Sequence, residues 1–394
     1  MVRGHRKAGR GESGLLDARG RGWWNERRKR VRGGRDQALP IKYIGSKRKL
    51  LPAIMETITR LRPGGTVIDL FCGTSRVGHA LKRSGYRVLA NDHNAYAAVI
   101  ARCYVQADRE EWEHPAGRLI DELNRLPGRP GYFTETFCEK ARFFQPRNGE
   151  RIDAIREEIA RKGLQPELEA ILLVSLMEAA DRVDSTTGVQ MAYLKSWAPR
   201  SGRSLEMRLP DLLPRAAAGK GRAFQMDALE AARVLEGDVA YLDPPYNQHS
   251  YLGNYHVWES LVLWDKPQVY GRACKRVDCR ERRSPFNLRS RFEEALRETV
   301  RRVRAPLLVV SFNDEGFMAR DAMQELLSTR GPVRVIEIDH TRYVGARIGI
   351  HNPRGEKVGT VGRLHNKEFL YVVGAEAERL SGDLRALSTE REAS

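Results

Sequence analysis

The stretch TVIDLFCGTSRVGHALKRSGYRVLAND, residues 66–92, decides the fold. Its first six residues form a short apolar run that is typical of a buried strand, and a glycine-containing turn at 72–75 leads into a helical pattern over 77–84. After Gly85, a second apolar run predicts a strand that ends at Asp92. A strand, a glycine turn, a helix and a second strand within about 30 residues make a βαβ unit, which implies a parallel sheet.

Working outward, three further apolar runs of strand length lie at 238–242, 306–311 and 369–373. The segment 111–182 has mostly helical periodicity, and the stretch 265–292 is basic and rich in turn residues. We therefore predict an α/β fold, a three-layer Rossmann-like sheet that is interrupted by a mostly helical insertion.

A net charge of +17 among 394 residues is the main compositional signal. It favours a polyanionic partner, with nucleic acid ahead of an anionic membrane surface. No apolar run approaches the roughly 20 residues that a bilayer-spanning helix needs, so we expect no membrane insertion. Hydrophobic residues make up 41% of the chain, which is enough for a folded core, and a wholly disordered protein is excluded.

The five cysteines are odd in number and scattered, with no Cys-x-x-Cys pair. This pattern predicts neither a disulfide framework nor a zinc site. We therefore expect no bound metal and a reducing, cytoplasmic location.

The turn after the first predicted strand has the chemistry of a ligand site. Between Asp69 and Gly78, glycine lets the backbone approach a ligand closely, and the following helix offers free N–H groups. Asp92 follows the second strand, where a carboxylate can accept hydrogen bonds from both hydroxyls of a ribose. A purely structural turn is the alternative, but the turn and the acid together predict a nucleoside-bearing cofactor.

The tetrapeptide Asp243-Pro244-Pro245-Tyr246 directly follows the strand run at 238–242. Two consecutive prolines restrict the backbone, so a carboxylate, a carbonyl and an aromatic ring are fixed at the edge of the sheet. The amino group of a heterocyclic base is a poor nucleophile because its lone pair is delocalised into the ring. Asp243 and the Pro244 carbonyl can accept its N–H bonds and favour a pyramidal nitrogen, while Tyr246 stacks on the base. A strand-to-helix turn capped by Asp243 is the structural alternative.

Four motifs follow one another along the chain: Lys42-Tyr43-Ile44-Gly45-Ser46-Lys47, Asp69-Leu70-Phe71-Cys72-Gly73-Thr74, Asn91-Asp92 and Asp243-Pro244-Pro245-Tyr246. In sequence and order they resemble the alpha-class, Dam-type DNA adenine methyltransferases. Four more stretches are similar to members associated with restriction-modification systems: 141–144, 178–183, 186–189 and 254–256. The resemblance covers residues 40–375 or so. It implies methyl transfer from S-adenosylmethionine to the exocyclic amino group of adenine in double-stranded DNA, and it allows a cognate restriction endonuclease as a partner.

The resemblance gives roles to the segments between 39 and 376, and composition describes the two ends of the chain. We predict a donor-binding part at 39–110, a helical target-recognition insertion at 111–219 and a catalytic part at 220–376, which includes a DNA-contacting stretch at 265–304. At the two ends we predict a basic disordered tail at 1–38 and a frayed terminus at 377–394. The tail holds twelve Lys and Arg against four acids. A solvated tail and an arm that binds a polyanion are both open interpretations.

Carried over by resemblance, the donor site has four parts. Tyr43, Gly45, Ser46 and Lys47 would contact the methionine end of the donor, Asp69, Phe71 and Gly73 its central part, Asp92 the ribose, and Phe224 and Asp227 the adenine. Asp227 could instead cap a helix. The tetrapeptide Asp243, Pro244, Pro245 and Tyr246 would be catalytic.

The target DNA is assigned a second group of residues. Tyr251, Asn254, Tyr255 and His256 could line the entrance for the target base, although His256 is better explained by local hydrogen bonding than by proton abstraction. Five cations from two basic regions are predicted to contact DNA phosphates: Lys195, Arg200, Arg203, Arg276 and Arg280.

Alternative activities follow from the same chemistry. The acceptors of the tetrapeptide serve any planar amine, so the amino group of cytosine and adenine in RNA stay open as targets. A catalytically silent nucleic-acid-binding protein is a further alternative. Methylation of cytosine carbon-5 is disfavoured, because it needs a nucleophilic cysteine and the chain has no Pro-Cys dipeptide. A base inside a duplex cannot reach such a pocket while stacked, so the reaction requires base flipping.

Overall fold

The structure is a computed structural model, and it describes residues 41–380 with gaps at Ser46, 342–349, 352–356 and 360–364. The predicted tail at 1–38, residues 381–394 and the donor-site candidate Ser46 lie outside the described residues. Across the part of the chain that is described, no helix has the length and apolar character to cross a membrane. The same part has no group of His, Cys, Asp and Glu side chains arranged to hold a metal ion.

A seven-stranded sheet forms the centre of the described chain. Its strands are β1 Thr66–Asp69, β2 Arg87–Asn91, β3 Arg222–Phe224, β4 Val239–Leu242, β7 Leu307–Asn313, β8 Val333–Thr341 and β11 His365–Val373. Their order across the sheet is β3-β2-β1-β4-β7-β11-β8. Strands β3, β2, β1, β4 and β7 are parallel to one another, whereas β11 runs antiparallel to both β7 and β8. The order changes direction between β1 and β4, and ligands of open α/β sheets bind at such a point.

Helices and short hairpins complete the described chain. The α-helices are α1 Leu51–Leu61, α2 Arg76–Arg83, α3 Ala95–Ala101, α4 Arg109–Asn124, α5 Pro146–Lys162, α6 Pro166–Asp181, α7 Ala228–Val234, α8 Tyr251–Asn254, α9 His256–Leu263, α10 Arg289–Arg302 and α11 Arg320–Ser328. The hairpin strands are β5 Val269–Tyr270, β6 Lys275–Arg276, β9 Ile350–His351 and β10 Lys357–Gly359. Two π-helical turns, Arg102–Gln106 and Thr134–Lys140, precede α4 and α5.

Apolar side chains of the strands point to both faces of the sheet, because successive residues of a strand alternate. Ile68 and Ala240 pack in a core that α7, α10 and α11 cover. On the opposite face, Val67, Val239 and Val309 pack with α1 and α2. Helices therefore cover both faces, and the prediction of a three-layer α/β sheet is confirmed.

Helix α6 is buried over most of its length. Every residue from Ala170 to Asp181 is buried, as expected for a helix that is apolar nearly all round. Its buried acids have partners: Glu178 accepts a hydrogen bond from the hydroxyl of Tyr104, and Asp181 faces the ammonium of Lys42 at 3.5 Å. The helix therefore packs inside the molecule and also holds Lys42, the first residue of the first motif.

Candidate active site

A cavity opens at the edge of the sheet where β1, β2 and β4 end. Its wall contains residues of each predicted motif: Tyr43, Gly45 and Lys47 before α1, Asp69, Phe71 and Gly73 at the end of β1, Asp92 after β2, and Asp243 and Pro245 after β4. Asp227 and the segment 282–287 also line it. The glycine turn and the tetrapeptide, which are 170 positions apart between Gly73 and Asp243, thus border one space.

The glycine turn holds Asp92 with backbone hydrogen bonds. Gly73 adopts a φ of 49°, in the left-handed region that glycine tolerates, and its N–H donates to Asp92 Oδ2 at 3.0 Å. The backbone N–H of Asn94 donates to Asp92 Oδ1 at 2.9 Å. Burial raises the pKa of Asp92, and these two N–H groups oppose the rise. The carboxylate is therefore fixed at the cavity wall before any ligand arrives.

Asp69 presents a buried oxygen without a hydrogen-bond partner among the described residues. This atom is Oδ2, and the residue is 1% exposed. Burial, followed by the charges of Asp243 and Asp92, raises the pKa of Asp69 to about 8. The backbone N–H of Gly78 opposes this rise, and a positively charged ligand in the cavity that Asp69 borders would oppose it further.

Lys47 lies between two carboxylates. Its ammonium is 3.1 Å from Oδ1 of Asp243 and 3.5 Å from Oε2 of Glu368, and its side chain is 6% exposed. Burial acts to lower the pKa of Lys47, but the charges of Asp243 and Glu368 outweigh it and raise the pKa well above its usual value. Lys47 is therefore a permanent cation in direct contact with the acid of the tetrapeptide.

The tetrapeptide has a polar and an aromatic end. Burial raises the pKa of Asp243 to about 6, with Lys47 opposing the rise and Glu368 adding to it. The Tyr246 ring lies edge-on to Phe312, with ring centroids 5.6 Å apart. Burial raises the pKa of Tyr246 to about 12, so its hydroxyl stays neutral. Pro244 is buried, whereas Pro245 reaches the cavity wall.

Aromatic stacking joins the first motif to α8. The Tyr43 ring is parallel to the rings of Tyr251 and Tyr255, with centroids 5.3 and 4.5 Å apart. Ile44 donates its backbone N–H to the hydroxyl of Tyr255 at 2.6 Å. Gly45 has a φ of 73°, and a Cβ there would lie 2.9 Å from the Tyr251 hydroxyl. Of this group Tyr43, Gly45 and Tyr251 border the cavity.

Three of the four residues predicted for the target-base entrance are buried: Asn254, Tyr255 and His256. His256 is fully buried, and its Nε2 is hydrogen-bonded to the carbonyl of Gln190 at 2.9 Å. The carbonyl of Asn254 accepts the backbone N–H of the same Gln190 at 2.8 Å. Burial lowers the pKa of His256 to about 3. The local hydrogen bonding that the sequence suggested for His256 is what the structure has.

The two residues predicted for the adenine end of the donor differ in position. Asp227 borders the cavity and also caps α7, because its Oδ1 accepts the N–H of Leu229 at 2.8 Å. Phe224, at the end of β3, packs against the core beneath α7, with the guanidinium of Arg222 5.3 Å from its ring. The aromatic side chains at this part of the wall are Phe71 and Phe286, in edge-to-face contact at 5.1 Å.

Comparison with known proteins decides what this cavity belongs to. The sequence model of the D12 class N6 adenine-specific DNA methyltransferases matches residues 43–316. The chain belongs to this family. The predicted activity, methylation of adenine in DNA, is therefore confirmed.

Several relatives of this methyltransferase are named type II methyltransferases. Type II methyltransferase M.NlaIII of Neisseria lactamica is 29% identical over 315 residues, which are 77% of this chain and 92% of that protein. Type II methyltransferase M.CviAII of Paramecium bursaria Chlorella virus 1 is 29% identical over 314 residues, with the same coverage. Type II methyltransferase M.FokI of Planomicrobium okeanokoites is 27% identical over 325 residues. The match spans 50% of that last protein, so this methyltransferase corresponds to about half of it.

The cations predicted to contact DNA are placed differently in the methyltransferase. Arg276 is buried, with Nη1 and Nη2 each 2.7 Å from a carboxylate oxygen of Asp265. Arg200 donates from Nε to Asp184 at 2.7 Å. Three others are exposed: Lys195, Arg203 and Arg280, the last of which stacks on Tyr270 at 3.9 Å. An internal carboxylate already engages Arg276 and Arg200, so the exposed cations are better placed to reach a phosphate.

The sequence did not indicate that the segment 282–287 forms a wall of the site. Arg282 donates from Nη1 to Oε1 of Glu259 at 2.8 Å. The fully buried Glu259 also accepts the backbone N–H groups of Ala95 and Tyr96, at the start of α3. One buried carboxylate thus fixes the basic segment to the methyltransferase core. The basic composition of the segment was the only local signal for it.

Proposed function

We propose that this methyltransferase transfers a methyl group from S-adenosylmethionine to the exocyclic amino group of adenine in double-stranded DNA at a specific sequence. The observation that carries the proposal is the shared cavity of Gly73, Asp92 and Asp243. The first two have the chemistry to hold a nucleoside, and the third has the chemistry to hold an amine. Methyl transfer needs both partners within one space.

The donor side of the cavity suits a nucleoside that carries a cationic amino-acid arm. Asp92 would hold the ribose hydroxyls, since its carboxylate is already oriented by Gly73 and Asn94. Asp69, which borders the cavity, would face a positively charged group of the donor. When bound, S-adenosylmethionine supplies an electrophilic methyl group on a sulfonium ion. The acids that line the cavity, Asp69, Asp92 and Asp243, are the specific support for a cationic ligand here.

The acceptor side would orient the target amino group. Lys47 engages Oδ1 of Asp243, and the other oxygen of that carboxylate would accept one N–H of the amine. The Pro244 carbonyl would accept the second N–H, which favours a pyramidal nitrogen whose lone pair points at the methyl group. With a pKa of about 6, Asp243 is ionised at neutral pH and can accept the proton that the amine loses.

The target base must leave the duplex to enter this cavity. Tyr246 would stack on the flipped base, and the exposed cations Lys195, Arg203 and Arg280 would hold phosphates on either side. The type II relatives, M.NlaIII and M.CviAII, support a role in restriction-modification. We extend the proposal to a cognate restriction endonuclease that reads the same sequence.

One pair of variants tests the proposal. Asp243→Ala should abolish methylation of duplex DNA, because the amine loses its charged acceptor, while the affinity for S-adenosylmethionine stays close to that of the wild type. Asp238→Ala is the matched control, since Asp238 precedes the same strand at its opposite end and pairs with Arg62. It should retain turnover. Mass spectrometry of nucleosides from treated DNA measures both. Methylcytosine without methyladenine, or full turnover of Asp243→Ala, would contradict the proposal.

A further inference from the structure

Glu368 lies beside the site without belonging to any of the four motifs or to the matched region 43–316. It lies on β11, opposite Asn313 of β7 and Ile338 of β8. Its side chain is 9% exposed, and Oε2 is 3.5 Å from the ammonium of Lys47. Strand β11 therefore places a buried carboxylate on the same ammonium, that of Lys47, which contacts Asp243.

The buried carboxylate of Glu368 needs a compensating cation. Burying an ionised carboxylate is costly unless a cation and hydrogen bonds compensate for it. The cation that compensates Glu368 is also the cation that contacts Asp243, at 3.1 Å. Lys47 therefore cannot neutralise either acid fully, and the group of three carries one net negative charge.

We propose that Glu368 is a positioning residue for methyl transfer: by sharing Lys47 with Asp243, it stops the ammonium from binding the Asp243 carboxylate too tightly and keeps that carboxylate a strong acceptor for the target amine. The inference rests on the proposed role of Asp243. It adds a residue from β11 to a site that is otherwise built from β1, β2, β4 and the segments beside them.

The charges around Asp243 determine the direction of the effect. The titratable groups that act on it or are acted on by it are Lys47 before α1, Asp69 of β1, Tyr241 of β4, Tyr246 after β4, Tyr251 of α8 and Glu368 of β11. Glu368 raises the pKa of Asp243 and Lys47 lowers it. Neutralising Glu368 removes a charge that repels the Asp243 carboxylate. The Lys47 ammonium is then no longer shared, and it interacts more strongly with Asp243. Both changes lower the pKa of Asp243 and make it a weaker acceptor.

The test is Glu368→Gln, with Glu337→Gln as the matched control. Glu337 lies on the neighbouring strand β8 but is exposed and pairs with Lys367 at the surface. The turnover rate at saturating donor is measured between about pH 5 and 9, together with donor affinity. For Glu368→Gln we expect the acidic limb of the pH–rate profile to move down by about one pH unit and the rate at neutral pH to fall by up to about tenfold, with donor affinity unchanged. Glu337→Gln should match the wild type.

A second variant covers the case in which Glu368→Gln does not fold. Glu368→Asp keeps the charge but withdraws it from Lys47, so its acidic limb should move in the same direction by a few tenths of a pH unit. An acidic limb that stays in place in the variants that fold would overturn the inference. So would a loss of donor affinity that accounts for the whole loss of rate. If Asp243→Ala is inactive while the Glu368 variants behave as wild type, only this inference fails.

Discussion

Replacing Lys47 with methionine keeps the length of the side chain and removes the one positive charge that, among the described residues, contacts Asp243. At 3.1 Å and an effective dielectric constant of about 20, the lost attraction is on the order of 5 kcal/mol. Solvent and relaxation reduce such a value, and opposite charges near carboxylates shift the pKa by about 1–3 units. Since the pKa of Asp243 is about 6 with Lys47 present, we expect about 8 in Lys47→Met.

The expected result is an alkaline displacement of activity. Losing a cation raises the pKa of a carboxyl group, so Asp243 becomes largely protonated at neutral pH. With a pKa of about 8, about one tenth of the molecules keep an ionised Asp243 at pH 7, and the rate falls about tenfold from this cause alone. The rate should recover above about pH 8, and Lys47→Arg should keep its acidic limb close to that of the wild type.

Single-turnover methylation of duplex DNA at saturating donor is the assay, since it separates the chemical step from donor binding. Thermal unfolding of each variant is measured alongside, because two buried carboxylates without their cation destabilise the fold by about 3–5 kcal/mol. The reasoning is refuted if Lys47→Met folds and its acidic limb stays at the pH of the wild type. It is also refuted if that limb moves to lower pH.

Two further predictions concern the cavity wall and the helices. In the free protein, burial and neighbouring charges raise the pKa of Asp69 to about 8, so binding of a cationic donor should displace its proton. Calorimetry at neutral pH, in buffers that differ in ionisation enthalpy, should detect the release of up to about one proton per donor bound. Asp69→Asn should release much less. Gly78→Ala places a Cβ 2.9 Å from a valine methyl group and 3.4 Å from Asp69, and it should lower the free energy of unfolding by about 1–3 kcal/mol. Gly117→Ala, inside α4 with open space around it, should raise the free energy of unfolding by up to about 1 kcal/mol. Equal effects of the two variants in denaturant titrations would contradict the packing argument.

The central strands were predictable because each is a continuous apolar run. The runs at 238–242, 306–311 and 369–373 correspond to β4, β7 and β11. The edge strands β3 and β8 were not predicted. Strand β3 has three residues, and β8 carries Arg334 and Glu337 among its apolar residues. Such strands are partly solvated, so they lack the apolar run by which a buried strand is recognised.

The site was predictable as far as its residues follow strand ends. Asp69, Asp92 and Asp243 each come at or just after a strand, and parallel strands bring their carboxyl ends together. Glu368 has no such marker: it is the last of four polar residues that precede the apolar run of β11, and its partner Lys47 is 321 positions away. The ion pair between Arg276 and Asp265 could not be predicted either. The sequence shows that Arg276 is basic, but it does not show which carboxylate Arg276 pairs with.

The hydrogen-bonding capacity of Lys47 connects the observed ion pairs with the role that resemblance assigns to this residue. An ammonium has three N–H donors, and two of its acceptors, Asp243 and Glu368, lie within 3.5 Å. A donor carboxylate at the methionine end of the cavity would be the third. Each acceptor added to one ammonium weakens its hold on the other two, because the positive charge is shared. Donor binding and Glu368 would therefore act on Asp243 in the same direction, and the acid would accept the target amine best once the donor is already in place.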